Sequence, residues 1–262
     1  LNKKFKLVSE FNKRKNIMSR NYIKLYQQTK YNILKEIIFL FRRNILFLKT
    51  LSNNISNYFF FSNTPILGNP FKRYLWIFRE FYRKFVNNLF PLWDRVDLDK
   101  NDYILIPLHQ IPESSTFTDT PFYLDELEII KAVSKSVPLN VNIFVKEHFT
   151  MIQERPRKFY KEVKKIGNVK LIDPFQYNAP NKYIKYAQGI VAINGTTIAE
   201  AALMGKPVLS FADNIWSLTG SVTYINDIRL IPNIIKKWKN FRPDYRGLEA
   251  LLTLIEKNGE II

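Results

Sequence analysis

The chain contains no cysteine. That absence excludes a disulfide framework, a thiolate metal site and a cysteine nucleophile. Histidine is almost as scarce: His109 and His148 are the only 2 among 262 residues, too few for a multi-histidine metal centre. Acidic residues are outnumbered, 23 against 40 Lys and Arg, which gives a formal net charge of +17. Such an excess attracts polyanions, whether nucleic acid, phosphorylated substrates or an anionic membrane face. Long apolar runs are missing too. A spanning helix needs roughly 18 or more uninterrupted apolar residues, and the most apolar stretch, Ile33–Leu51, is broken by Lys35, Glu36, Arg42, Arg43 and Lys49. The start of the chain has no short apolar core followed by small residues, so no secretory signal is expected. There is no internal repeat and no low-complexity tract.

A hydrophobic fraction of 46% with 24% charged residues is that of a globular protein, and it rules out wholesale disorder. The positive charge is unevenly placed. Residues 1–100 hold 20 Lys and Arg against 6 Asp and Glu, a net of +14; residues 101–262 hold 20 against 17, a net of +3. The basic first hundred residues therefore read as a mainly helical N-terminal or linker region, and residues 101–262 as an ordinary globular domain with C-terminal helices. Because the chain opens on Leu1, the basic part is expected to be the remnant of, or the connection to, a further domain. A basic helix over Ile33–Leu51 suits either a membrane surface or packing against such a domain. Asn63–Pro70 is a breaker cluster and a plausible linker. Phe71–Leu89 spaces its aromatics at helical intervals between basic residues, and its stripe reads as core packing before a nucleic-acid stacking surface. Nucleic acid is not the expected partner.

From Tyr103 the texture changes. Short apolar runs at Tyr103–Pro107, Val141–Val145, Val169–Ile172, Gly189–Ile193 and Pro207–Phe211 read as buried strands. Helical patterns at Asp125–Ser136, Pro156–Ile166, Asn181–Ala187 and Ile198–Met204 alternate with them. That alternation predicts an α/β fold, a Rossmann-like parallel sheet of five strands.

In such a sheet ligands bind beyond the carboxyl ends of the strands. Three polar clusters fall there: His109–Ser115 after the first strand, Lys146-Glu147-His148 after the second, and Asn194-Gly195-Thr196-Thr197 after the fourth. The last opens a helix, a geometry that presents backbone N–H groups and hydroxyls to a phosphate. Thr197-x-x-Glu200 also has the spacing of a capping box. Gly205 is placed to end the helix in the left-handed conformation.

The run Asn194-Gly195-Thr196-Thr197-Ile198-Ala199-Glu200-Ala201-Ala202-Leu203-Met204-Gly205-Lys206-Pro207-Val208 resembles the nucleotide-sugar-binding segment of two-domain GT-B glycosyltransferases. More narrowly, Pro107-Leu108-His109 with Pro112-Glu113-Ser114-Ser115-Thr116, then Val145-Lys146-Glu147-His148, Asn168-Val169 and Leu171-Ile172-Asp173-Pro174, in that order, resemble the capsule polysaccharide biosynthesis family. That family includes bacterial sugar transferases using CMP-linked acidic sugars such as Kdo. The resemblance covers about Tyr103–Phe211. Two departures stand out: Phe149 follows His148 where the family has proline, and Ile111 precedes Pro112-Glu113 where it has glutamine.

The resemblance implies the C-terminal half of a GT-B fold and a cytoplasmic transferase at the inner face of the membrane. The donor would be a nucleotide sugar and the acceptor a lipid-linked or polysaccharide chain, with no metal and no separate cofactor. Glu113 and His148 are the expected catalytic pair, His148 serving the departing phosphate and Glu113 acting as acid/base or orienting the sugar. Lys146 would supply fixed positive charge. Asn194, Gly195, Thr196, Thr197 and Glu200 would bind the donor, Glu200 through ribose hydroxyls. Two other readings stay open: a nucleotide-sugar epimerase of the same architecture, and a non-catalytic, decayed transferase homologue held at a membrane.

Overall fold

The structure, a computed structural model, describes residues 5–11, 34–35, 37–38, 40–42, 44–45, 70–100, 102–111, 114–138, 140–152, 154–173 and 180–258. Strands and helices alternate along it: α1 Pro70–Leu89, β1 Tyr103–Pro107, α2 Ser114–Asp119, α3 Glu126–Ser136, β2 Asn142–Lys146, α4 Arg157–Lys164, β3 Val169–Ile172, α5 Pro180–Tyr186, β4 Gly189–Ala192, α6 Thr196–Leu203, β5 Val208–Ser210, β6 Val222–Tyr224, α7 Ile231–Lys237 and α8 Tyr245–Asn258. The sheet has six strands in the order β3-β2-β1-β4-β5-β6, all parallel. It is a Rossmann-like α/β layer. The five strands expected from the apolar runs all form, with ends shifted by one residue at β2, β4 and β5. A sixth strand, β6, corrects the expected count. Only Val222 of its three residues is buried, so it carries no apolar run to read.

The strands read as continuous apolar runs because helices cover both faces. One face packs α3, α4 and α7 around Ile104, Ile106, Ile130, Val145, Leu171 and Leu209. The other packs α5, α6 and α8 around Leu105, Phe144, Ile190, Ile198, Ala201, Ala202 and Leu248. Each buried Val, Leu, Ile or Phe among them contributes on the order of 1.5–3 kcal/mol of transfer free energy. Ala201 and Ala202, both fully buried, let α6 approach the sheet closely.

Within the basic N-terminal part, residues 6–11, 34–35, 37–38, 40–42, 44–45 and α1 are helical, whereas residues 90–100 are not. Residues 63–69 of the expected linker lie outside the described residues. The first helical turn docks on α8, where the Glu249 carboxylate accepts the Leu7 and Val8 amides at 2.9 and 3.1 Å. The end of α1 is tied to the sheet layer: Asn87 Nδ2 donates to the Ile152 carbonyl at 2.8 Å, and Arg157 Nη1 donates to Asn87 Oδ1 at 2.9 Å. Along α1, Ile77 is buried, Phe81 and Phe85 are half-buried, and Leu75, Phe78 and Tyr82 are exposed, so none of the described aromatics of the stripe is a fully buried core residue. Among the described residues no helix is long and apolar enough to cross a membrane.

Candidate functional site

The strand order places a switch point between β1 and β4. From β1 the chain winds outward through β2 and β3 with α3 and α4 on one face. It then returns to β4 and winds the other way through β5 with α5 and α6 on the opposite face. The loops leaving β1 and β4 therefore diverge, and the crevice between them is where doubly wound sheets bind ligands.

His109 leaves β1 on that crevice, with Asn194 and Gly195 facing it from β4. The His109 Nε2 atom lies 2.6 Å from the Asn194 carbonyl oxygen and 3.2 Å from its amide nitrogen. Asn194 is buried. Its Nδ2 donates to Asp119 Oδ2 at 2.9 Å and its Oδ1 accepts the Gly195 amide at 2.8 Å. Gly195 has φ 97° and ψ 175°, a backbone conformation that is essentially glycine's alone.

Gly195, not Thr197, is the N-cap of α6, and the helix begins at Thr196. The expected capping box is therefore corrected. A box pairs the N-cap with the third helical residue, and here that residue is Ile198. Thr197 and Glu200 each stand two places too far along. Thr196 is exposed and Thr197 and Glu200 are half-buried. The Thr196 and Thr197 amides lie in the first turn, where a helix offers no acceptor of its own. At the other end Gly205, with φ 74°, closes a Schellman motif: its amide bonds the Ala202 carbonyl and the Lys206 amide bonds the Ala201 carbonyl, both at 2.9 Å.

The β2 end contributes Lys146, Glu147 and His148. Strand alternation sends Lys146 to the α5 side, its Nζ 5.5 Å from the centre of the Tyr183 ring. Burial lowers the Lys146 pKa to about 8, with the Glu147 charge opposing. Burial, reinforced by the charges of Lys146, His109 and Arg155, lowers His148 to about 4, so its imidazole is neutral at pH 7. His148 Nδ1 lies 2.7 Å from Thr150 Oγ1.

Glu147 turns to the opposite side and is fully buried. There it joins Arg155, Glu126 and His109 in a cluster. Arg155 Nε donates to Glu147 Oε2 at 2.7 Å, and Arg155 Nη1 pairs with Glu126 Oε2. Burial raises Glu147 to about 7, with Arg155 opposing and Glu126 adding to the rise. Glu126 moves the other way: burial acts to raise it, but hydrogen bonding from His109 and the Arg155 charge hold it below its ordinary value. The same burial and the neighbouring Glu147 carboxylate raise the Tyr160 hydroxyl.

No protein-family model matches the chain, and no curated protein matches it. Among solved structures it is similar to the S. aureus MnaA–UDP co-structure, at 16% identity and TM-score 0.42, over 60% of this chain and 44% of that one. It is similar to the Methanocaldococcus jannaschii UDP-GlcNAc 2-epimerase in complex with UDP-GlcNAc and UDP, at 16% and 0.43, over 60% and 46%. Thermosulfurimonas dismutans KpsC, a β-Kdo 2,7 transferase, gives 19% and 0.41, over 68% and 52%. The chain spans about half the length of these structures.

Of the residues expected from sequence, Lys146 ends β2, His148, Asn194 and Gly195 lie on the loops leaving β2 and β4, Thr196 and Thr197 open α6, and Glu200 lies in its second turn. Glu113 lies outside the described residues. Glu126 and Arg155 were not legible as site residues: one reads as a helix-start acid, the other as a loop cation, and only the fold brings them together. The Asp97-Leu98-Asp99 pair, a spacing that can hold a metal, sits before β1 at the opposite edge, with Asp97 bound to Lys100 at 2.9 Å. Among the described residues no group of three or more His, Asp or Glu is placed to hold a metal ion.

Proposed function

We propose that the crevice between β1 and β4 receives the phosphate of a nucleotide-activated sugar, and that the chain is the donor-binding half of a GT-B-type glycosyltransferase of bacterial surface-polysaccharide synthesis. One observation carries this reading: a glycine-only turn at Gly195 opens α6 beside His109 at the switch point of the sheet. Helix N-termini at such points suit anions, since the first amides have no other acceptor and the helix dipole favours negative charge.

The electrostatics support the same assignment. Burial is the main cause of the low proton affinity of His148, and the charges of Lys146, His109 and Arg155 lower it further. A bound phosphate would reverse the sign of that field and raise it again. A neutral His148 donates its ring N–H as a hydrogen bond to the phosphate, and that bond strengthens as negative charge develops on the leaving group. Lys146 supplies positive charge below pH about 8. Thr196 and Thr197 offer amides and hydroxyls, Glu200 a carboxylate for the ribose, and Glu113 an acid/base at the sugar. The donor class is a CMP- or UDP-linked sugar, with no metal required. The acceptor is a lipid-linked or polysaccharide chain at the inner face of the membrane, where the basic first hundred residues would favour anionic lipid by on the order of 1 kcal/mol per Lys or Arg near the surface.

Calorimetric titration with CMP, UDP and their sugar conjugates tests binding, and turnover with a supplied acceptor tests transfer. His148→Ala should lower turnover by roughly 10²-fold or more, the scale of a lost acid/base or oxyanion contact, with the fold intact. Conversion of the nucleotide sugar to its epimer without acceptor would replace transfer by the epimerase reading. Binding with neither reaction would support the decayed homologue. Failure to bind any nucleotide refutes the proposal. Flotation with vesicles tests the lipid arm, which requires stronger binding to anionic than to neutral lipid.

A further inference from the structure

Arg155 lies between the Phe149–Ile152 turn and α4 and belongs to none of the three strand ends that form the rim. Its guanidinium nevertheless reaches across them. Nε donates to Glu147 Oε2 at 2.7 Å, Nη2 donates to the His109 carbonyl at 3.0 Å, and Nη1 pairs with Glu126 Oε2. Each partner continues outward to a backbone that carries a site group. Glu147 Oε1 accepts the His148 amide at 2.7 Å, and Glu126 Oε1 accepts the His109 amide at 2.7 Å. The His109 ring then meets the Asn194 backbone at 2.6 Å. An unbroken set of hydrogen bonds thus runs from His148 through Glu147, Arg155 and His109 to Asn194.

The cluster is dry: Arg155, Glu126 and Glu147 are 6%, 3% and 0% exposed. Two carboxylates sharing one guanidinium make a costly way to stabilise a fold, because desolvation commonly cancels the attraction of buried ion pairs. The links share another property. They end on the main chain of the loops leaving β1 and β2, and through His109 on the turn leaving β4. Side chains locked around a site from behind are what hold reacting groups within a fraction of an ångström.

We infer that Arg155 is a positioning residue, fixing the His109 and His148 loops relative to each other and to the Asn194–Gly195 turn. For its effect on ligand affinity, this inference rests on the nucleotide reading of the rim. A lysine cannot replace it: one ammonium on a flexible stem lacks the planar fork that serves three acceptors in three directions.

Because the chain has two histidines, histidine-selective ¹⁵N labelling gives two ring signal sets, one from each loop. In Arg155→Lys both sets should be displaced, although the charge is kept. In Val169→Ala, a cavity at the start of β3 on the opposite edge of the sheet, both should stay at their native positions. Affinity for CMP or UDP should fall roughly tenfold or more in Arg155→Lys, about 1.4 kcal/mol, and stay near native in Val169→Ala. Native positions for either histidine in Arg155→Lys, or equal displacement in Val169→Ala, would overturn the inference. If Arg155→Lys does not fold, Glu147→Gln decides. It keeps the acceptor for the His148 amide and removes the ion pair, and it should displace the signals of His109 on the other loop; an unmoved His109 overturns the inference. The spectra need no nucleotide. A native protein that binds neither CMP nor UDP would refute the nucleotide reading, while the histidine signals would still decide the role of Arg155.

Discussion

Replacing Gly195 by alanine isolates the turn on which the functional reading depends. A Cβ built at Gly195 would lie 3.8 Å from His109 Nε2 and 3.9 Å from His109 Cδ2, ordinary van der Waals distances. Steric overlap therefore contributes little, and the cost lies in the backbone. A side chain at φ 97°, ψ 175° is strained by about 1–3 kcal/mol. At about 2–4 °C per kcal/mol for a chain of this size, the melting temperature should fall by several degrees. The strain relaxes only by rotating the turn, which moves the Asn194 backbone away from His109 and re-aims the first amides of α6. Nucleotide affinity should drop by roughly tenfold or more, about 1.4 kcal/mol. Gly205→Ala is the control. Its φ is 74°, and its Cβ would press on the Tyr245 hydroxyl and approach Pro243 Cγ at 3.2 Å. It should cost at least as much stability at the far end of the same helix and leave affinity near native below its melting point. Calorimetry for melting and titration for binding read both variants. Native stability in Gly195→Ala would refute the strain argument, and native affinity would remove the turn from the site.

Thr197→Ala should change stability by no more than about 0.5 kcal/mol, since Thr197 is not the N-cap, whereas loss of a true cap costs about 1 kcal/mol; any fall in nucleotide affinity then reads the hydroxyl directly, and a cap-sized loss of stability contradicts the assignment of Gly195. The two shifted groups at the β2 end should oppose each other in the stability–pH profile. His148, at about 4 when folded against an ordinary 6.5, refuses a proton that the unfolded chain takes, so its contribution is lost as pH falls from 6.5 to 4. Glu147, at about 7 against 4.5, keeps a proton that the unfolded chain releases, so stability is gained as pH falls from 7 to 4.5. Denaturant titrations should show a shallow native profile between pH 4.5 and 6.5, a steeper acid loss in Glu147→Gln and an acid gain in His148→Ala; profiles parallel to native in both variants would contradict these assignments.

The fold was legible where burial on both faces leaves a continuous apolar run. Tyr103–Pro107 and Val169–Ile172 form strands with the bounds their sequences suggest, and α3 starts one residue later than expected, with Asp125 as its N-cap accepting the Leu127 and Glu128 amides. β6 escaped because an edge strand with Thr223 and Tyr224 exposed has no apolar signature. Thr197-x-x-Glu200 misled because a capping box is a spacing pattern, and a glycine two places earlier took the N-cap through its backbone conformation. The buried cluster was the least legible part. Glu126 stands among helix-start acids that the dipole explains, Glu147 reads as one of three polar residues in a loop, and Arg155 lies 29 residues from Glu126. Burial of these charges follows only from the pairing of β1 with β2.

The central claim is that the rim between β1 and β4 receives a nucleotide phosphate, and the chain's two histidines report on it directly. A titration of histidine-labelled protein with CMP and UDP, followed through the ring ¹⁵N signals across pH, is the most direct measurement. The account predicts saturable displacement of both His109 and His148 with one dissociation constant, and a His148 pKa that rises from about 4 as the anion binds. Binding that leaves both rings unmoved, or a His148 pKa unchanged at saturation, would contradict it.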